Sequence, residues 1–376
     1  MSTSNKNRLT ELDALRGIAA LFVVFFHFTI FRPEANYGFR FGVTGVDLFF
    51  IISGFVIFLT LSKTKTWQDF ALSRFSRLYP VYWACVLLTT ALIFASGLFA
   101  GNLPPGHSDK IIPPGPWTIA TNLTMLPYYF GVENIDGPYW TLLVEMLFYF
   151  LMTGIFLFKK LDKIEIIGGI ILLLLSVYSV VLKQVSPFLY KIISYGIPLA
   201  NYFPLFLAGI VFYKIKFEKL NSYRVILILG CFLVQVSLFD DGVRSYGYIS
   251  QMEYAMMLSL YFAIFILYVS DRLKFIVNRT TVFLGKISYP LYLIHQFVSV
   301  GVIIPFFNGT LGINFWISSL LIALPIVILL ASLLNSFVEI PAMNAIRNLY
   351  KRKTLTHNYE EPYQVGLSHQ TSKTGS

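Results

Sequence analysis

Hydrophobic residues gather into about ten blocks of roughly 17 to 24 positions, each about as long as a helix needs to be to cross a hydrocarbon core. The pattern predicts helices near residues 14–32, 42–61, 80–100, 138–158, 164–182, 196–214, 224–239, 252–270, 282–305 and 315–338. Almost no sequence is left for an independent soluble domain. The expected fold is all-α, a polytopic membrane helix bundle of about ten transmembrane helices over residues 1–350. The stretch 351–376 is polar, rich in Ser, Thr and Gln, and is expected as a cytoplasmic tail without a core of its own. The first block, Leu15 to Phe31, ends in Phe-Arg-Pro-Glu-Ala-Asn rather than at a small-residue cleavage site, so it is expected as a retained helix.

Composition agrees: 56% of residues are hydrophobic and 13% charged, against about 25% charged in soluble domains. The net charge of +10 does not point to nucleic acid, because the 29 Lys and Arg are scattered between the apolar blocks. They report topology instead. Clusters at Lys6, Arg8 and Arg16, at Lys63, Lys65, Arg74 and Arg77, at Lys159, Lys160 and Lys163, at Lys214, Lys216, Lys219 and Arg224, at Arg272, Lys274, Arg279 and Lys286, and in the C-terminal stretch all fall on one side. The other side keeps only Arg32, Arg40, Lys110, Lys183, Lys191 and Arg244. The positive-inside rule then puts both termini in the cytoplasm. Cys85 and Cys231 both lie inside apolar blocks, so neither a disulfide nor a thiolate metal site is expected.

The longest loop, 101–137, falls on the outer side and carries Pro104, Pro105, Pro113, Pro114, Pro116 and Pro127, which exclude regular helix over much of its length. A loop of this length is expected to act as a lid or binding loop.

Ionisable side chains deep in spanning helices cost on the order of 3 kcal/mol each, so each needs a partner or a role. His27, Asp47, Glu145 and His295 come from four different predicted helices and fall in one slab in the outer half of the membrane. Interhelical hydrogen bonding is one reading. The other is proton transfer, with His27 as base and Glu145 as the carboxylate that orients it, Asp47 lying at similar depth. Arg16 is 11 residues before His27 on the same helix face, roughly 16 Å along the axis, and reads either as a link to the cytoplasmic surface or as a boundary cation beside Asp13. Arg74 and Arg77, three apart at a helix entrance, suit a diphosphate, although they also serve as topology signals. Tyr79, Tyr82, Trp83, Tyr139 and Trp140 near span ends read as interfacial belts, and Trp140 is also able to stack on a sugar ring.

Arg16-Gly-Ile-Ala-Ala-Leu with His27, Gly45-Val-Asp-Leu-Phe-Phe-Ile-Ile-Ser-Gly-Phe55, Arg74-Phe-Ser-Arg77-Leu-Tyr-Pro80, Tyr139-Trp-Thr-Leu-Leu-Val-Glu145 and Ser288-Tyr-Pro-Leu-Tyr-Leu-Ile-His295 occur in that order. Together they resemble the acyltransferase-3 family of integral-membrane O-acyltransferases, over roughly residues 8 to 345. The resemblance implies a multi-pass protein of the bacterial inner membrane that moves an acyl group, most often acetyl, from cytoplasmic acyl-CoA to a carbohydrate on the outer side. It implies Arg16, Arg74 and Arg77 as donor-binding, His27, Glu145 and Asp47 as catalytic, and Trp140, Tyr292 and His295 as substrate-binding residues. No metal and no nucleic acid are implied; membrane lipid and a carbohydrate acceptor, lipid-linked in some members, are the partners. Many members carry a fused C-terminal hydrolase-like domain for which this chain has no sequence, so a separate periplasmic partner is an open expectation. A proton-coupled transporter would also bury His, Asp and Glu, but no internal repeat is visible.

Overall fold

The computed structural model describes residues 9–30, 32–98, 113–240 and 242–359. Lys6, Arg8, Pro104, Pro105, Lys110 and the stretch 360–376 lie outside the described residues. Among the described residues every regular element is helical. In chain order these are α1 (Thr10–Thr29), α2 (Gly45–Leu61), α3 (Trp67–Leu98), α4 (Pro116–Asn122), α5 (Trp140–Leu157), α6 (Ile164–Val177), α7 (Lys183–Val185), α8 (Pro187–Gly196), α9 (Phe203–Phe217), α10 (Ser222–Ser237), α11 (Gln251–Val269), α12 (Arg279–Gln296), α13 (Leu324–Leu334) and α14 (Ile340–Tyr359).

Among the described residues eight helical runs are long and apolar enough to cross a membrane: Thr10–Thr29, Phe39–Leu61, Trp67–Ser96, Gly137–Leu157, Leu161–Val185, Gln251–Val269, Arg279–Thr310 and Ile317–Lys351. The two remaining expected spans, 196–214 and 224–239, take the form of the shorter helices α9 and α10, of 15 and 16 residues. The chain is a multi-pass membrane helix bundle. Burial grades across it as a lipid-embedded bundle requires: 78% of the apolar window of Phe39–Leu61 is buried, against 28% for Ile317–Lys351. Leu173, Leu174, Leu321 and Leu329 on the outer helices are exposed, as suits side chains that meet acyl chains instead of water.

Two parallel helix pairs form the centre, and glycine sets both. A Cβ on Gly17 of α1 would lie 2.7 Å from the backbone nitrogen of Gly285 on α12, and one on Gly285 would lie 1.9 Å from the carbonyl oxygen of Asp13. The backbones touch there, which is possible only without side chains. That contact fixes the register, and ten residues further along both helices His27 meets His295. In the second pair a Cβ on Gly54 of α2 would meet the carbonyl of Phe206 on α9 at 2.1 Å, while Phe50 packs on Tyr202 at one end and Phe58 on Tyr213 at the other.

The proline-rich loop does contain regular structure: Pro116 occupies the first turn of α4, where its missing N–H has no partner to lose, and Pro127–Phe130 forms a 3-10 turn. Helix α14 runs through Tyr359.

Candidate active site

Two cavities enter the bundle from opposite ends. The first, about 90 Å³, lies at the end where α1 and α3 begin and is lined by Arg16, Arg74, Arg77, Ser53, Glu145, Tyr149, Tyr289 and Tyr292, with apolar side chains of α2 between them. The second, about 570 Å³, lies at the other end and is lined by His27, Trp140, Arg244, Tyr248, Gln296 and the loop residues Tyr128, Gly131, Val132, Glu133 and Asn134. Val46 and Tyr292 line both. The wall between the cavities is therefore about one side chain thick.

At the first cavity three guanidinium groups face one lining carboxylate. Helix α3 begins at Trp67, so Arg74 and Arg77 project from about its third and fourth turns and not from the helix entrance expected for them, and α1 brings Arg16 to the same space. Arg74 donates to Thr60 Oγ1 at 3.4 Å and Ser73 Oγ at 3.3 Å, and its Nε is buried without a partner. Glu145 Oε1 accepts from Ser53 Oγ and from the Tyr149 hydroxyl, both at 2.5 Å. Glu339 on the segment leading into α14 is buried close enough to Arg16 and Arg77 to interact with both. The surplus is positive, and guanidinium forks in a partly dehydrated pocket match a phosphate or diphosphate.

At the second cavity the chemistry is a histidine pair. His295 Nε2 lies 3.0 Å from His27 Nδ1, and His27 Nδ1 lies 2.9 Å from the carbonyl oxygen of Val23. His295 Nδ1 in turn lies 2.8 Å from the carbonyl oxygen of Tyr292. Carbonyl oxygens only accept, so each Nδ1 carries the proton. The single Nδ1–H of His27 is then shared between the Val23 carbonyl and His295 Nε2, and His27 Nε2 is left with its lone pair. His27 is half-buried and lines the cavity, while His295 is fully buried behind it. A neutral imidazole held in one tautomer by a second imidazole is equipped to take a proton from a hydroxyl.

The geometry regroups the residues picked out from sequence. Glu145 does not orient His27; it belongs to the first cavity, because α5 turns it toward Ser53 and Tyr149. His295, expected to touch substrate, is the residue that holds His27. Asp47 lines neither cavity: it is buried on the far side of α2, where Oδ1 accepts from the Tyr254 hydroxyl at 3.4 Å, and Tyr254 accepts from Gln235. The four titratable groups thus form three separate arrangements, not one proton cluster. Arg16, Arg74 and Arg77 do come together, and Trp140 and Tyr292 line the cavity of His27. The Tyr292 hydroxyl is fixed by donating to the carbonyl of Pro138 at 3.0 Å.

Sequence reasoning missed Asp136. Its two carboxylate oxygens accept from the backbone N–H of Gly137 at 2.8 Å and of Phe297 at 3.2 Å, clamping the start of α5 to the end of α12 next to the histidines. Burial pushes its carboxyl up to about 7, against the pull of those two N–H groups. An Asp before Gly-Pro reads from sequence as a helix cap only, since Phe297 is remote in the chain. Among the described residues no group of three or more His, Cys, Asp or Glu is placed to hold a metal.

A family model described as an acyltransferase domain matches residues 9–335. Among curated relatives, protein 2 in the picA locus of Rhizobium radiobacter is 34% identical over 163 residues, 39% of this chain and 81% of that protein. The exopolysaccharide production protein ExoZ of Rhizobium meliloti is 28% identical over 39% of this chain and 45% of its own length. The O-acetyltransferase OatA of Staphylococcus aureus is 26% identical over 89% of this chain and 57% of its own length. The chain thus spans about half the length of the latter two. No solved structure matches.

Proposed function

This chain belongs to the acyltransferase-3 family, and from that premise we propose that it transfers an acetyl group from cytoplasmic acetyl-CoA to a hydroxyl of a surface carbohydrate on the outer side of a bacterial inner membrane. The observation that carries the reading is the pair of cavities meeting at Val46 and Tyr292, one lined by three arginines and the other by His27.

In this reading Arg16, Arg74 and Arg77 hold the phosphates of the donor at the cytoplasmic end, and the thioester reaches the wall at Tyr292. Arg16 and His27 are 11 residues apart on α1, roughly 16 Å at the helical rise, a span that an extended pantetheine arm covers. His27 Nε2 takes the proton of the acceptor hydroxyl as the oxygen bonds to the acyl carbon. The carbon–sulfur bond breaks, and the thiolate leaves toward the arginine end and is protonated there. His295 accepts from His27 Nδ1–H throughout, so the positive charge formed on His27 is shared with a second ring. Trp140 offers an aromatic face for the sugar, and the turn at Tyr128–Asn134 closes over it. An acceptor carried on lipid and a separate periplasmic partner both fit a site that opens at the outer end.

The test is incubation of membranes containing the protein with acetyl-CoA labelled in the acetyl group. The expected result is label in ester linkage to saccharide, released by mild base. Label that stays in CoA while other acetyl donors are consumed would overturn the assignment of the donor.

A further inference from the structure

Cations at the end of the bundle that carries His27 are mostly held by other side chains. Arg32 donates to Asn308 at 2.9 Å and lies 3.9 Å from Glu34, Arg40 pairs with Glu253 at 2.5 Å, and Lys183 pairs with Asp240 at 3.2 Å. Arg244 differs: among the described residues no carboxylate lies within ion-pair distance of it. Glu133 lines the same cavity yet makes no such pair. The Arg244 guanidinium instead lies over the Trp140 ring, 5.4 Å from its centroid, and its backbone N–H is fixed by donating to the Tyr202 hydroxyl at 2.9 Å. A guanidinium stacked on indole keeps its in-plane N–H donors free for another partner. On the same wall Gln296 Oε1 is buried without a hydrogen-bond partner, an acceptor that suits a hydroxyl beside the anion and not the anion itself.

From this arrangement we infer that the acceptor is anionic: Arg244, stacked on Trp140, binds a carboxylate or phosphate group of the acceptor while His27 addresses a neighbouring hydroxyl. The inference rests on the acyl-transfer reading for the role of His27 but names a property of the acceptor that the reading leaves open. A cation turned outward to lipid headgroups would not need to line the cavity; Arg244 does. The anion has two sources, a uronic-acid carboxylate within the glycan or the diphosphate that joins a glycan to its lipid carrier, and both offer oxygens in the fork geometry that guanidinium matches.

The test measures binding without chemistry. The full chain in nanodiscs is titrated with a glucuronate-terminated tetrasaccharide, with its glucose-terminated counterpart, and with the glucose form carried on a short-chain polyprenyl diphosphate. The expected result is that one anionic probe binds at least about tenfold more tightly than the neutral one, the advantage of a charge-assisted pair. The advantage should vanish in Arg244→Gln and be partly kept in Arg244→Lys; which probe shows it identifies the source. Equal affinity for all three probes, no binding of either anionic probe, or an advantage that persists in Arg244→Gln overturns the inference. So does a uniform loss for all three probes together with a lower melting temperature, which would make Arg244 a lipid or packing contact. Since no acyl transfer is measured, failure here leaves the outcome with labelled acetyl-CoA unaffected.

Discussion

The two cavities solve different recognition problems with different chemistry. The one at the arginine end is small, about 90 Å³, and crowded with three guanidiniums; the one at the histidine end is wide, about 570 Å³, with His27 and aromatic side chains on its walls. Charge is worth most where water is excluded, so a narrow cationic pocket selects a phosphate-bearing group whatever it carries. The wide cavity carries His27 among aromatic side chains, with one cation, Arg244, on its wall, so shape counts for more there than a cluster of charge. In the proposed reading such a division would let one bundle keep a single donor while the acceptor changes through the loop at Tyr128–Asn134.

The sharpest way to break that contrast is to disable one cavity and read the other. His27→Ala should lower acetyl transfer by about 100-fold to 10,000-fold, the usual worth of a general base, while affinity for the donor at the arginine end is kept. A well-inserted variant that retains transfer would remove the histidine end from the chemistry.

Next in size is the converse. Arg74→Ala with Arg77→Ala should weaken donor binding by about tenfold or more, as expected for loss of charge-assisted hydrogen bonds, without altering preference among acceptors. Lysine at both positions should restore only part of it, because ammonium lacks the planar fork. Donor affinity that does not change, followed by equilibrium binding of CoA, would return both residues to the role of topology signals.

How far the sequence reaches follows the same divide. Apolar block length located eight helical spans, and spacing on one helix face put Arg74 and Arg77 together, because both are local properties of a helix. That His27, Asp47, Glu145 and His295 lie on helices is legible too, but the single slab expected for them is not found, since Glu145 lines the arginine cavity and His27 the other. Which way each faces is not legible, since azimuth is set by long-range packing: the Gly17–Gly285 contact brings His295, not Glu145, against His27. The same holds for Asp47, which α2 turns toward Tyr254, and for Asp136, whose second partner is remote in sequence.

Glu145 sharpens the contrast at smaller scale. Because it accepts from Ser53 and Tyr149 in the arginine cavity, Glu145→Gln should change KM for the donor by several-fold and leave the pH at which His27 loses its proton unmoved. Steady-state rates across pH check this; a shifted acid limb with an unchanged donor KM would return Glu145 to the histidine.

The smallest effect concerns the clamp beside the histidines. Asp136 is buried, and burial raises its carboxyl from 3.8 to about 7 in the folded chain. Between those values the folded state binds more protons than the unfolded one, so stability falls as pH rises from about 4 to about 7 and levels off above. The amide introduced by Asp136→Asn would resemble the protonated acid: it keeps an oxygen for one backbone N–H but does not titrate. In this variant the melting temperature should therefore be nearly flat across the window. Its stability should lie within about 1 kcal/mol of the natural chain at pH 5, the worth of one hydrogen bond, and approach or pass it at pH 8. Thermal unfolding in nanodiscs at pH 5 and pH 8 decides the matter: a variant with the same slope as the natural chain would show that some other group titrates, and that Asp136 ties α5 to α12 at no electrostatic cost.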